Sequence, residues 1–111
     1  MGIQNWSDTV ILVSLAPEPY MGEELTTAIS MAAEQPEKDV IIDFAEVQIV
    51  TSSSIAKLLK LRKTLFDNDR RLVLSSVQPK TRSIFTLTGL DVVFDFLDDQ
   101  VLALASLQFA N

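Results

Sequence analysis

Short apolar runs alternate along the chain with stretches of helical periodicity. Residues 9–15 (TVILVSL) are β-branched and apolar almost without a break, the pattern of a buried strand. Residues 3–6 can pair with them as a short antiparallel strand across a turn at Ser7 and Asp8. Pro17 and Pro19 end that unit. Residues 22–34 carry Leu25, Ile29, Ala32 and Ala33 at helical spacing, and Gln35-Pro36 closes that helix. Residues 40–44 (VIIDF) read as an interior parallel strand. The clearest helix spans 52–67. Ile55, Leu58, Leu59, Leu65 and Phe66 share its apolar face, and Lys57, Lys60 and Lys63 lie away from it. Arg62 falls near the apolar face, with its stem along the core edge. Residues 71–75 (RLVLS) predict another strand. Residues 79–88 predict a helix with proline in its first turn, Gly89 just past its end, and Ile84 and Leu87 inward. Residues 92–96 (VVFDF) predict the last strand. The final helix is expected over 98–109, with Asp98 and Asp99 at its positive end, Val101, Leu104 and Leu107 inward, and Leu97 stapling its start.

The order is β-β-α-β-α-β-α-β-α, an α/β fold over 1–111 with a small, mostly parallel mixed sheet. So few helices cannot cover both faces of the sheet fully, which leaves part of one face to solvent or a partner. Composition narrows the chemistry. The 111 residues include 9 Lys and Arg, 15 Asp and Glu, no His and no Cys, for a net charge of -6. That length suits one domain with its own core. A His general base, a Cys nucleophile, a Cys/His zinc site and a disulfide framework are all excluded. The acidic balance argues against nucleic acid, whose binding runs on phosphate neutralisation. No basic-then-apolar leader opens the chain, and no apolar run approaches the roughly 20 residues that a spanning helix needs. The expectation is a cytoplasmic protein with no membrane insertion.

Thr51-Ser52-Ser53-Ser54 places four hydroxyls directly before the strongest helix. One reading is an N-cap, in which a hydroxyl accepts a bond from a free N–H of the first turn. The other is phosphorylation. A phosphate there meets unpaired N–H groups and the positive end of the helix dipole, so the helix tolerates it while a docked partner is repelled. Leu87-Thr88-Gly89-Leu90-Asp91 followed by Phe94 reads alone as a helix C-cap with core residues around it.

Taken together, Asp43-Phe44, Val47, Ile49-Val50, Thr51-Ser52-Ser53-Ser54-Ile55, Leu72-Val73-Leu74, Leu87-Thr88-Gly89-Leu90-Asp91 and Phe94 resemble STAS domains, the bacterial anti-sigma factor antagonists. The likeness covers residues 9–107. It implies a regulatory module and not an enzyme. The partner it implies is an anti-sigma factor that is also a serine kinase, with a serine phosphatase to reset the switch. The acceptor maps to Ser52, with Ser53 and Ser54 as rivals. Thr51, Ser52, Ser53, Ser54, Lys57 and Lys60 map to the partner-binding surface. Any ATP belongs to the kinase, so no cofactor is expected in this chain, and a homodimer is left open. The sequence departs from the family pattern in three places. Thr51 replaces an Asp, Ser54 replaces a Gly, and Ala16-Pro17-Glu18-Pro19-Tyr20 replaces a Gly-x-Leu/Ile-Asp stretch. The lost Asp and Gly favour an alternative of the same fold: a non-phosphorylated scaffold subunit of a stressosome-like or lipid-transport complex.

The remaining groups are read more plainly. Lys57, Lys60 and Lys63 form a solvated basic strip or a docking strip for an acidic partner. Asp98-Asp99 starts a helix and lacks a third ligand for a metal. Asp43 has no second acid fixed beside it by sequence. Trp6 and Tyr20 are lone aromatics, not a base-stacking platform. With three glycines in the whole chain, a nucleotide-binding glycine loop is ruled out.

Overall fold

Sequential pairing organises the computed structural model, which describes residues 2–108. Its elements are β1 (Gly2–Asn5), β2 (Val10–Ser14), α1 (Met21–Glu34), β3 (Asp39–Asp43), α2 (Ser52–Asp67), β4 (Leu72–Ser75), α3 (Pro79–Leu87), a 3-10 turn (Leu90–Val92), β5 (Asp95–Leu97) and α4 (Gln100–Gln108). The sheet runs β1-β2-β3-β4-β5. β1 is antiparallel to β2, with Ile3 opposite Val13, and every later pair is parallel. Right-handed crossovers that step the same way each time put their helices on one face. Accordingly α1, α2 and α3 share a front face, and among the described residues α4 alone packs on the back, against β3, β4 and β5.

The pleat divides each apolar run between two cores. Ile11, Val13, Val40, Ile42, Leu72 and Leu74 point into the front core with Leu25, Leu58, Leu61 and Leu65. Val10, Leu12, Ile41 and Val73 point back onto Ala103 and Leu107. Phe85 sits in the front core edge-on to Phe44, Phe94 and Phe96, with ring centroids 6.4, 5.6 and 5.4 Å away.

Several inward assignments need correction. The buried stripe of α2 is Ser54, Leu58, Leu61 and Leu65. Leu59 and Phe66 lie on the neighbouring stripe and are exposed, with Phe66 59% accessible. Arg62 belongs to that outer stripe. Its Nε donates to the Val93 carbonyl at 3.0 Å and its guanidinium lies 5.9 Å from the Phe66 ring centre. In α3 the inward residues are Thr81 and Phe85, Ile84 is half-buried, and Leu87 is exposed. Ala33 is exposed and Ala32 buried. The strand expected over 92–96 forms later and shorter. Gly89 takes φ 75°, and Val93 N and Phe94 N both donate to the Leu90 carbonyl, so this backbone turns before it can pair. Val92 is therefore exposed. The last helix begins at Gln100, with Asp99 Oδ1 accepting from Leu102 N at 2.8 Å as its cap. Val101 faces outward and Ala103 inward. Phe109, the end expected for this helix, lies outside the described residues.

Candidate functional site

The carboxyl ends of β2 and β3 lie side by side, so the loops that leave them are neighbours. One loop carries Pro17-Glu18-Pro19 toward α1, and the other carries residues 44–51 into α2. The second loop is stitched down from beneath. Asp43 is buried, its Oδ1 accepting from Ala45 N at 2.9 Å and its Oδ2 from Ser75 Oγ at 2.9 Å and Ser76 Oγ at 3.0 Å. Thr81 Oγ1 on α3 donates to the carbonyls of Val47 at 3.3 Å and Gln48 at 3.0 Å. Asp43 is thus a structural clasp, bonded to the loop it opens and to the end of β4. These bonds fix the point where α2 begins.

Thr51 is the N-cap of α2. Its backbone is extended, and its Oγ1 accepts from Ser54 N at 3.2 Å. The cap is shared with a residue from the other loop. Glu18 Oε2 accepts from Thr51 N at 3.2 Å, from Thr51 Oγ1 at 2.9 Å and from Ser54 Oγ at 2.9 Å. A carboxylate therefore already sits at the positive end of this helix. Partial burial works against the charge of Glu18. The bonds from Thr51 and Ser54, with the nearby Lys57 ammonium, outweigh it and hold the carboxyl below the usual range.

The four hydroxyls are split by this arrangement. Thr51 and Ser54 are committed to Glu18, and Ser54 is only 2% accessible. Ser52 and Ser53 are exposed, and among the described residues no side chain bonds to either hydroxyl. No carboxylate is hydrogen-bonded to Ser52 among the described residues, so that hydroxyl has no oriented base of its own. The lysines also diverge. Lys57 is half-buried and donates to the Gly22 carbonyl at 3.2 Å, tying α2 to α1. Lys60 is exposed, and Lys63 pairs with Asp67 at 2.9 Å. A cleft of about 290 Å³ opens beside the cap, lined by Pro17, Glu18, Glu46, Gln48, Ile49 and Thr51. Among the described residues, no group of acids could hold a metal and no helix is long and apolar enough to cross a membrane.

Sequence reasoning placed Thr51, Ser52, Ser53 and Ser54 together but passed over Glu18. Its partner is 33 residues away, and no spacing rule links them. The available signal was topological: adjacent parallel strands put their exit loops side by side.

The model of the STAS domain matches residues 20–103. The chain belongs to the STAS domain family. No curated protein matches it. Solved structures carry the same fold at low identity. The anti-sigma-factor antagonist (STAS) domain protein from Planctomyces limnophilus is 22% identical, with a TM-score of 0.79 over 96% of this chain and 97% of its own. The anti-sigma factor antagonist SpoIIAA in its unphosphorylated form is 18% identical, with a TM-score of 0.77 over 98% of each chain. Bacillus SpoIIAA in its phosphorylated form is 18% identical, with a TM-score of 0.70 over 94% of this chain and 96% of its own. In this STAS domain the matched span includes the Thr51 cap and the whole of α2, while Glu18 lies just outside it.

Proposed function

We propose that this STAS domain is a cytoplasmic anti-sigma factor antagonist that captures a serine-kinase anti-sigma factor and is released when Ser52 is phosphorylated. The observation that carries the reading is the split of the cap: Thr51 and Ser54 are tied to Glu18, and Ser52 stands exposed at the start of α2. Ser53 is the remaining rival acceptor, because Ser54 is buried. The kinase would pass the γ-phosphoryl group of its nucleoside triphosphate to Ser52 Oγ. The hydroxyl proton leaves to a base of the kinase, and the nucleoside diphosphate is released. The modification adds nearly two negative charges at one helix end. A partner seated over Ser52, Ser53 and Lys60 is then repelled, while the helix tolerates the phosphate. The chain supplies no catalytic group in this scheme, and a phosphatase restores the hydroxyl.

Incubation with the cognate kinase and ATP, followed by phosphate mapping by mass spectrometry, tests the reading. Phosphate at Ser52 is expected, and a Ser52→Asp variant should bind the kinase at least about tenfold more weakly, the effect of roughly 1.4 kcal/mol. Phosphate on no serine of the cap overturns the switch. The replacement of the family's Asp and Gly by Thr51 and Ser54 supports a second reading, an ATP-insensitive scaffold subunit. Stable association with a structural or transporter subunit, unchanged by ATP, would mark it.

A further inference from the structure

We infer that Glu18 is a resident anion that competes with a phosphate on Ser52 for the same helix end, so that the two charges oppose each other across the cap. This rests on the reading of Ser52 as acceptor and concerns how that site is tuned. The Glu18 carboxylate takes the N–H and hydroxyl of Thr51 and the hydroxyl of Ser54. Ser52 is the next residue after Thr51, and consecutive Cα atoms are about 3.8 Å apart. A phosphoryl group on Ser52 Oγ is therefore added to the helix end that Glu18 already occupies, and charges within about one Debye length (~8 Å at physiological salt) are only partly screened. Few charges can offset the pair. Glu46 lines the adjoining cleft and adds a further negative charge. Glu24 is bonded to Ala16 N, and Glu23 is exposed one residue before it. On α2 the nearest cation is Lys57, held by the Gly22 carbonyl. On α3, which packs under the loop through Thr81, the adjoining cation is Lys80, and it is exposed.

Two consequences follow from linkage. Ionised Glu18 opposes the second ionisation of the phosphate, and the dianion weakens the bonds from Thr51 and Ser54 to Glu18 by the same free energy. The Pro17–Glu18–Pro19 loop is held to α2 by those bonds, so phosphorylation loosens it. The departure at Ser54 adds a third donor to Glu18 and so raises the opposition that the phosphate must overcome.

The experiment uses the full chain with phosphoserine inserted at position 52 during translation. It is thereby independent of whether any kinase modifies that residue, so a failed kinase assay and a failed competition are separate results. Phosphorus NMR titration reads the second ionisation of the phosphate directly. The ionisation constant is expected to be about threefold larger in Glu18→Gln than in the unsubstituted chain, and to stay near the unsubstituted value in Glu18→Asp, which keeps the charge. Superimposable curves for the chain and Glu18→Gln overturn the competition. A second measurement needs no variant. Amide exchange at Thr51 N should be faster with phosphoserine at 52 than with serine, and equal protection also overturns it.

Discussion

The two faces of the sheet are built to different thickness. The front face carries three helices and the linked rings of Phe44, Phe85, Phe94 and Phe96, while among the described residues the back carries only α4 over Val10, Leu12, Ile41 and Val73. The helix that presents Ser52 belongs to the thick side. Its Leu58, Leu61 and Leu65 are buried against neighbours that close-pack around them. A charge added at its exposed end acts on the Glu18 cap and on whatever sits over it, and not on the leucines packed beneath. The thin side holds together with a handful of side chains.

Substitutions can break or sharpen this contrast. Phe85→Ala should have the largest effect, a loss of about 3–5 kcal/mol read from the denaturant midpoint. Leu107→Ala, at the edge of the back cluster, should cost about 2 kcal/mol in the same assay. Equal losses at the two sites would mean that the faces are energetically alike. Next comes the cap. Thr51→Ala removes the bond to Ser54 N and the hydroxyl donor to Glu18 while keeping the Thr51 N–H, and should lower stability by about 1 kcal/mol in a thermal melt. A much larger loss would show that the front core depends on the cap as well as on its own packing. The smallest effect is that of Glu18→Gln, and it is one of pH. The folded-state pKa of Glu18 is lowered, so its ionised form stabilises the fold at neutral pH, and that contribution disappears as the pH falls through the lowered value. Removing the carboxylate should reduce stability slightly at pH 7 and flatten the acid side of the stability curve. An unchanged acid side would detach Glu18 from the cap.

The pattern of apolar runs was enough to locate most elements, because each run needed a sheet and each helix needed one apolar face. It could not say which face of the sheet a given side chain entered. The runs at 9–15 and 40–44 are apolar on both sides, so the alternation that marks a face is missing. On α2 two adjacent stripes both carry large apolar residues, Leu58, Leu61 and Leu65 on one and Leu59 and Phe66 on the other, and only packing separates Leu61 from Leu59. The end of α3 misled for another reason. Val92 looks like core by composition, but the turn after Gly89 uses its stretch of backbone before β5 can pair, and Leu87 at the end of α3 falls off the buried Thr81 and Phe85 stripe. The hydroxyls of the site were legible because capping and phosphate chemistry both draw on the same local motif. Glu18 was not, since a contact between two loops is set by strand adjacency and leaves no mark in either segment alone.

The strand order has a consequence for how the chain reaches this shape. Each strand finds its partner in the strand just before or just after it. No pairing has to wait for a segment made much later, because each parallel partner is reached across a single helix-containing crossover. During synthesis, β1 and β2 can join as a hairpin, and each βα unit can dock onto the last as it emerges. The thick face would then be completed in the order in which the chain is made, with α4 arriving last to close the other side.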